Sequence, residues 1–326
     1  MKKKTSTKIA ALLFSLVLVM TMSLSMTACK NNVTDSTSTP KLESTAKNEA
    51  VIQTVYPLTF KDSAGVDIII EKAPSKVITL GPNLTEIVYA LGKGESLIGR
   101  SSYDDYPTEV LKVESIGEIA KPAIEKIIEL KPDVVFASGL VEADSVKQLR
   151  DVGINVVLIN DQDRFEGVYQ TILDMGKILD SNVKSSEIVK GMQDKVASVL
   201  AKVKDVAKPK VYFVVDYGQY GEYTATGDTF LGQMLEMAGG NNIAKDAKGY
   251  KYNIEDIVVN NPDIILCSNL YDSKAGIIKA NAYIDLDAVK NGKVVELDDS
   301  MANRQGPRLA DGLELLAKSI HPELYK

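Results

Sequence analysis

Short apolar runs alternate with stretches of helical periodicity along most of the chain. The runs are rich in Val, Ile and Leu, and the segments between them carry apolar residues at three- and four-residue steps. Alternation of this kind predicts parallel strands joined by helical crossovers. Because the runs form an earlier and a later group, we predict an α/β fold of two lobes, with mainly parallel sheets flanked by helices. The predicted strands are 76–80, 96–99, 133–137 and 155–159 in the first lobe and 210–216, 263–267 and 293–297 in the second.

A long helix is predicted between the two groups of strands. Apolar residues recur at helical steps from Val189 to Val203, while Ser181 suits the N-cap position and Pro209 a stop. About 25 helical residues span roughly 37 Å, which is enough to lie across two domains. The predicted organisation is an N-terminal lobe at 58–180, a connecting helix at 181–207 and a C-terminal lobe at 208–326, with a ligand cleft between the lobes.

An internal repeat supports the two-lobe organisation. Residues 124–135 align without a gap with residues 254–265, and each copy reads Ile-Glu at its start, then Pro-Asp before an apolar strand. Any two α/β lobes can share such residues at the boundaries of their helices and strands. Identical spacing over twelve positions nevertheless favours a pseudo-symmetric relation between the two lobes.

The N-terminus has the pattern of an export signal. Lysines at 2–4 precede an apolar stretch at 9–20, and the segment ends in Met26-Thr27-Ala28-Cys29, which resembles the bacterial lipobox. We predict a signal peptide at 1–28, a lipid such as palmitate on Cys29, and a flexible polar tether at 29–57. The predicted location is the outer face of the cell membrane. The lipobox pattern prefers Leu where Met26 stands, and residues 9–28 are also long enough for a transmembrane helix.

The composition of the chain argues against several classes of function. The 326 residues include 38 Lys and Arg against 44 Asp and Glu, and removing the four lysines of 1–28 takes the net charge from −6 to −10. Such an acidic body repels nucleic acid. One histidine, His321, and one cysteine beyond Cys29, Cys267, argue against disulfides, His-based catalysis and a metal site built from protein ligands. Glycine-rich phosphate-binding motifs are also missing from the sequence, so we predict no enzyme, no resident metal and no cofactor.

Polar and aromatic residues follow the predicted strands, at the edge where open α/β sheets bind ligands. Four of the five arginines lie there, and guanidinium groups suit carboxylate, phosphate or catecholate oxygen. Tyrosines at the same ends suit a large flat ligand. In the alternative interpretation, Arg304 and Arg308 pair with local acids such as Asp299 and Asp311, and the tyrosines only mark a wet edge. The predicted ligand-binding residues are Asn83, Arg100, Tyr103, Tyr106, Arg164, Tyr217, Tyr220, Tyr271, Arg304 and Arg308, with Tyr103 and Tyr217 preferred.

Several segments together resemble the substrate-binding proteins of bacterial ABC importers for iron chelates, haem and cobalamin, whose two lobes are joined by a rigid helix. These segments are 77–92, 101–107, 124–135, 237–243 and 306–312. The resemblance implies a receptor that captures a metal chelate and delivers it to a two-subunit permease driven by cytoplasmic ATPases. In that family a glutamate on each lobe docks onto permease arginines, and Glu125 and Glu255 match those positions. Compensation of a helix dipole is the alternative role for both acids.

The resemblance leaves the ligand open. Residues 101–107 look like the cobalamin-binding members, the arginines look equally like binders of ferric siderophores, and haem ranks behind both. It implies a monomer without covalent chemistry. A cell-surface sensor and a secreted enzyme on the same fold are the alternative functions.

Overall fold

The computed structural model describes residues 53–160 and 163–326. The predicted signal peptide, the predicted lipid anchor Cys29 and the predicted tether up to residue 52 lie outside the described residues. The tether's last residues are hydrogen-bonded to the N-terminal lobe. The main-chain N–H of Thr54 donates to Asp180 Oδ1 at 2.8 Å, and the Tyr56 hydroxyl donates to the main-chain oxygen of Ile178 at 2.9 Å.

The N-terminal lobe is built on a parallel sheet. Its strands are β1 (Leu58–Lys61), β2 (Asp67–Ile70), β3 (Val77–Leu80), β4 (Leu97–Gly99), β5 (Val134–Ser138) and β6 (Val156–Ile159). Its helices are α1 (Pro82–Ala90), α2 (Ile124–Leu130), α3 (Ala143–Asp151) and α4 (Phe165–Ile178), with 3-10 turns at Gly94–Ser96 and Thr108–Lys112. The sheet has the order β4-β3-β5-β6 with every pair parallel, while β1 and β2 form a separate antiparallel hairpin.

The apolar runs in the sequence reflect burial on both faces of this sheet. Every residue of β3 and β5 is buried. Val77 and Phe136 pack into the core shared with α1 and α4, whereas Ile78 and Val135 pack into a second core on the opposite face. A strand that is covered on both faces is a continuous apolar stretch in the sequence. These strands could therefore be predicted from the sequence.

A single long helix, α5 (Asn182–Val203), follows the N-terminal lobe. It begins directly after Ser181, as predicted, although the Ser181 hydroxyl donates to the main-chain oxygen of Leu91 at 2.9 Å and does not cap the helix. The helix ends at Val203, earlier than the predicted residue 207, because Val203 is the last residue of its buried face. It packs against α4 of the first lobe and against the last α-helix of the second lobe.

The C-terminal lobe has a mixed sheet. Its strands are β7 (Lys210–Asp216), β8 (Glu222–Thr224), β9 (Asn241–Asn242), β10 (Lys251–Tyr252), β11 (Ile264–Ser268) and β12 (Val294–Leu297). Its helices are α6 (Phe230–Met237), α7 (Ile254–Asn260), α8 (Ser273–Ile277), α9 (Asp287–Lys290), α10 (Asp299–Asn303) and α11 (Leu309–Ile320), with a 3-10 turn at Pro322–Tyr325. The order is β10-β8-β7-β11-β12, with β9 also on β7. The β7, β9, β11 and β12 strands run parallel, and β8 and β10 run antiparallel to their neighbours.

The structure confirms the internal repeat. Helix α2 followed by β5 corresponds to helix α7 followed by β11. Both helices end on a residue in the left-handed conformation, Lys131 with φ 50° and Asn261 with φ 44°. In each copy the aspartate of Pro-Asp accepts a main-chain hydrogen bond at the start of the neighbouring strand, Asp133 from Lys76 directly before β3 at 2.9 Å and Asp263 from Lys210 in β7 at 2.8 Å. The same tie therefore fixes strand to strand in both lobes.

Candidate functional site

A cavity of about 370 Å³ lies at the carboxyl ends of the N-terminal strands. The residues that directly follow β3, β5 and β6 line it, and Gln305 of the C-terminal lobe completes its wall. The Asn83 amide nitrogen lies 3.5 Å from the main-chain oxygen of Gln305, so the two lobes meet here. This edge is where open α/β sheets bind ligands.

The loop at residues 101–107 borders this region and rests on a buried carboxylate. Asp104 is buried, and it accepts hydrogen bonds from the Ser101 hydroxyl at 2.5 Å and the Thr85 hydroxyl at 2.5 Å. Thr85 in turn lies 2.5 Å from the hydroxyl of Thr79 on β3. Burial raises the pKa of Asp104, against the lowering effect of these hydrogen bonds. The polar chain fixes the loop to the sheet and leaves Tyr103 exposed.

A second buried carboxylate joins the two lobes. Glu86 lies on α1 with its side chain only 3% exposed. Arg308 donates to it through Nε at 2.9 Å and through an Nη at 2.7 Å, and Arg304 donates to the same carboxylate at 3.2 Å. Arg304 also donates to Asp105 at 2.6 Å, and the Arg308 guanidinium carbon lies 3.8 Å from the centre of the Tyr106 ring. We call these five residues the inter-lobe charge cluster.

The cluster alters the interpretation of the two arginines. The sequence offered Asp299 and Asp311 as partners, and both are wrong: Asp299 accepts a hydrogen bond from Asn303, and Asp311 pairs with Lys195. The true partners come from the other lobe. The hydrogen bond from Arg304 lowers the pKa of Asp105, and the one to Glu86 raises the pKa of Arg308.

The remaining predicted arginines differ in their surroundings. Arg100 folds back on its own lobe, donating to the main-chain oxygens of Val110 at 3.0 Å and Ser101 at 2.8 Å. Arg164 is exposed directly before α4, and it has no hydrogen-bond or ion-pair partner within 53–160 and 163–326. The predicted strand-end arginines are thus split between structural contacts and one exposed group.

The predicted tyrosines of the C-terminal lobe lie on two loops. Tyr220 is 73% exposed and Tyr271 is 96% exposed. Tyr217 is half-buried, with its ring centre 5.9 Å from that of Tyr283 in an edge-on contact. Tyr283 donates its hydroxyl to Glu222, a buried acid that also accepts the main-chain N–H of the loop at Gly218. Two side chains of this lobe are therefore free to contact a ligand and a third is held in place.

Sequence reasoning missed Glu86, Asp104 and Glu222, the three buried acids that organise these loops. One signal was present for Glu86, which lies on α1 between apolar Leu84 on one side and Ile87 and Val88 on the other, all of them buried. A charge at such a position needs a partner. The partner could not be named, because Arg308 is 222 positions away in the sequence.

The predicted docking acids occupy equivalent positions in the two lobes. Glu125 and Glu255 lie in the first turns of α2 and α7, are exposed, and make no hydrogen bond or ion pair with any described residue. Each helix runs directly into the amino end of a central strand, so its first turn lies toward the carboxyl edge of the sheet. Both acids therefore lie toward the edge that carries the candidate site.

The described residues form neither a cluster suited to bind a metal ion nor an exposed thiol. Among them, no group of three or more His, Cys, Asp and Glu residues is arranged to hold a metal ion. Cys267 is buried in β11, and burial raises the pKa of its thiol to about 11. None of the helices between residues 53 and 326, outside 161–162, has both the length and the apolar character needed to cross a bilayer.

Comparison with known proteins gives consistent matches. The family model described as "Periplasmic binding protein" matches residues 77–301. An uncharacterised ABC transporter substrate-binding lipoprotein of Bacillus subtilis is 36% identical over 83% of this chain and 88% of its own. A cobalamin-binding protein of Halobacterium salinarum is 28% identical over 82% of this chain and 74% of its own. The crystal structure of a possible iron-binding, periplasmic solute-binding protein from Staphylococcus epidermidis has a TM-score of 0.68 and 30% identity, covering 77% of this chain and all of that one.

Proposed function

This chain belongs to the periplasmic binding protein family, as a solute-binding protein of an ABC importer, and from that premise we propose that its ligand is a corrinoid such as cobalamin. The family assignment bears out the expectation of an extracytoplasmic receptor with a permease partner. The relative from Halobacterium salinarum is named as a cobalamin-binding protein, which favours a corrinoid among the possible chelates.

The observation that carries the proposal is the set of exposed tyrosines at the strand ends of both lobes. Tyr103 and Tyr106 come from the N-terminal lobe, and Tyr220 and Tyr271 from the C-terminal lobe. A tyrosine offers a flat apolar ring with a polar tip, which suits a large macrocycle rimmed by polar groups. Since the cavity of about 370 Å³ is too small to enclose a corrin with its side chains, we expect the ligand to lie across the mouth between the lobes.

The remaining predicted residues take supporting roles in this proposal. Tyr217 is half-buried and offers a ring edge, and Asn83 lies at the seam between the lobes. Arg164 directly follows Asp163, which lines the cavity. Its exposed guanidinium group suits a phosphate or carboxylate on the ligand. Arg100 does not contact the ligand directly in this proposal; it supports the loop at 101–107 by donating to the main-chain oxygen of Ser101.

Delivery to the permease is assigned to Glu125 and Glu255. Their support is geometric: each acid is exposed, unpaired among the described residues, and related to the other by the internal repeat. Two acids at matching places on two lobes suit two arginine-bearing permease subunits. We further propose that the receptor is a monomer and that Cys29 carries its lipid anchor.

The ligand assignment is tested with protein lacking residues 1–28. Cyanocobalamin, cobinamide, haem, a ferric catecholate and a ferric hydroxamate are each titrated by calorimetry and by thermal shift. We expect the two corrinoids to bind and to raise the melting temperature, since a ligand that binds only the folded state stabilises it. Binding of an iron chelate or haem, with no response to either corrinoid, would overturn the proposal in favour of siderophore or haem capture.

A tyrosine pair refines the same test. Tyr103→Ala should weaken cyanocobalamin binding by about tenfold, which corresponds to about 1.4 kcal/mol of lost ring contact. Tyr250→Ala is the matched control, because Tyr250 is 49% exposed, close to the 56% of Tyr103, and lies on the loop before β10, away from the strand carboxyl ends. Equal losses in both variants would show that exposed tyrosines in general, and not this loop, support the measured binding.

A further inference from the structure

The inter-lobe charge cluster bears on which ligands the cleft accepts. We infer that Glu86 and Asp105 neutralise Arg304 and Arg308 so that the cleft rejects strongly anionic chelates and accepts neutral ones. This inference rests on the proposed function, because it concerns the ligand of the same cleft. The arginines serve here as internal counterions, and the acids set the specificity.

The geometry pairs both arginines with acids of the protein itself. Arg308 presents Nε and one Nη to the two oxygens of Glu86, the fork geometry in which guanidinium and carboxylate bind most strongly. Its flat face is covered by the Tyr106 ring at 3.8 Å. Arg304 shares one Nη between Glu86 at 3.2 Å and Asp105 at 2.6 Å. An incoming carboxylate or catecholate would compete with these acids for guanidinium groups whose charge they already neutralise.

Displacement is opposed by the burial of Glu86. Its side chain is 3% exposed, so water cannot replace the arginines if they turn to a ligand. A buried carboxylate without its partner is strongly unfavourable, because it keeps its charge in a medium that solvates it poorly. The bonds to Glu86 are therefore the ones that the protein keeps.

The charges also balance. Two guanidinium groups face two carboxylates, so the cluster adds no net charge to the cleft. The other predicted ligand-binding cations are Arg100, whose Nε and one Nη are bonded to main-chain oxygens, and Arg164, which is exposed. The sequence alone predicts four arginines that could bind a trianionic complex. Only one of them, Arg164, is exposed and has no partner among the described residues.

The inference predicts a gain of binding, which a purely structural role would not produce. Asp105→Asn and Glu86→Gln each remove one negative charge and release donors of Arg304 or Arg308. We expect either change to raise affinity for a trianionic, hexadentate tris-catecholate complex of iron(III) by about tenfold or more, the effect of one new charged hydrogen bond. Affinity for neutral cyanocobalamin should change by less than about threefold. The gain should shrink as salt is raised.

A matched control separates this effect from net charge. Asp194→Asn also removes a carboxylate from an ion pair, with Lys190 on α5, and its side chain is 66% exposed against 63% for Asp105. It should leave both affinities unchanged. Because Glu86 is buried and its variant can fail to fold, the exposed Asp105 keeps the test decisive, and circular dichroism and melting curves establish that each variant is folded.

The outcomes distinguish the inference from the proposed function. Failure of the wild-type protein to bind any corrinoid counts against the proposed ligand, whereas the gain for the tris-catecholate complex in Asp105→Asn still tests the cluster. The inference is wrong if folded Asp105→Asn gains no more than Asp194→Asn, or if the wild-type protein already binds the anionic complex as tightly as cyanocobalamin. Equal weakening of both ligands would also overturn it and would assign the cluster a purely structural role.

Discussion

The aspartate of each Pro-Asp unit ties two central strands together, and the two copies differ in a way that predicts unequal stabilities. Asp133 accepts three hydrogen bonds, from the Ser75 main-chain N–H at 2.8 Å, the Ser75 hydroxyl at 2.9 Å and the Lys76 main-chain N–H at 2.9 Å. Asp263 accepts one, from the Lys210 main-chain N–H at 2.8 Å. Substitution by Ala removes three bonds in one lobe and one in the other.

The expected magnitudes follow from the number and exposure of these bonds. Hydrogen bonds to a charged group contribute about 1.5–3 kcal/mol when buried, and solvent exposure reduces that to about 0.7 kcal/mol each at the edge of a sheet. Asp133→Ala should therefore lower the free energy of unfolding by about 2 kcal/mol and Asp263→Ala by about 0.7 kcal/mol. In melting temperature these correspond to losses of about 4–8 °C and about 1–3 °C.

The effect of Asp133 should also depend on pH with a definite sign. Burial works to raise the pKa of Asp133, but the hydrogen bonds from Ser75 and Lys76 outweigh it and hold the pKa below its usual value. A carboxyl with a lowered pKa stabilises the fold fully above its unfolded pKa of about 3.9, and that contribution disappears as the pH falls through the folded pKa. Urea denaturation at pH 7 and at a series of pH values below about 3.9 measures both effects. Equal losses from the two substitutions, or a gap between wild type and Asp133→Ala that persists in strong acid, would refute the reasoning.

Three further predictions concern the site and its surroundings. An added methyl group at Gly276 would overlap the Tyr217 hydroxyl, so Gly276→Ala should move that ring and weaken ligand binding measured by calorimetry, with a melting temperature close to wild type. Reversal of both docking acids, Glu125→Lys with Glu255→Lys, should abolish uptake of labelled corrinoid by cells that depend on this receptor, while the purified protein binds ligand normally. The Cys267 thiol should resist alkylation by iodoacetamide in the folded protein and react after unfolding in urea, because burial shields it and raises its pKa to about 11.

The first two of these predictions have a matched control variant on α5. Gly191→Ala lies on α5, where an added methyl group meets no atom within 4 Å, so it should leave binding intact. Glu187→Lys reverses an acid of α5 that is 61% exposed and should leave uptake intact. Unchanged affinity in Gly276→Ala would remove Tyr217 from the ligand site, and surviving uptake in the double reversal would remove the docking assignment. Rapid alkylation of the native thiol would mean that the β11 strand opens readily.

Local pattern in the sequence predicts the central strands well, because burial on both faces leaves a continuous apolar run. All seven predicted strands are present, with ends displaced by one residue at most. Five short strands outside the apolar runs were not predicted. The hairpin of β1 and β2 and the strands β8 to β10 contain two to four residues each, too few for a periodic signal to separate from the surrounding loops. Their pairing is decided by neighbours that are distant in the sequence.

The candidate site also has a part that the sequence predicts and a part that it does not. Residues that follow a strand can be predicted to lie at the carboxyl edge of the sheet, since topology alone carries them there. Their partners cannot, because pairing across two lobes depends on how the lobes pack. Arg308 and Glu86 illustrate this limit: Arg308 was predicted to lie at the site, but its partner Glu86 was not, because 222 positions separate them in the sequence.

The inter-lobe charge cluster also constrains how the lobes can move. Helix α5 packs against both lobes along its length, and the cluster joins them a second time through a carboxylate that is shielded from water. Two lobes that are joined at two places cannot separate widely unless one of the joints breaks. Breaking the cluster would leave the buried Glu86 carboxylate without its arginine partners. While the cluster is intact, the lobes stay joined at both places, which favours a ligand whose contacts need no rearrangement of charge. Exposed tyrosine rings on both lobes supply such contacts, so the aromatic side chains and the paired arginines support the same mode of capture.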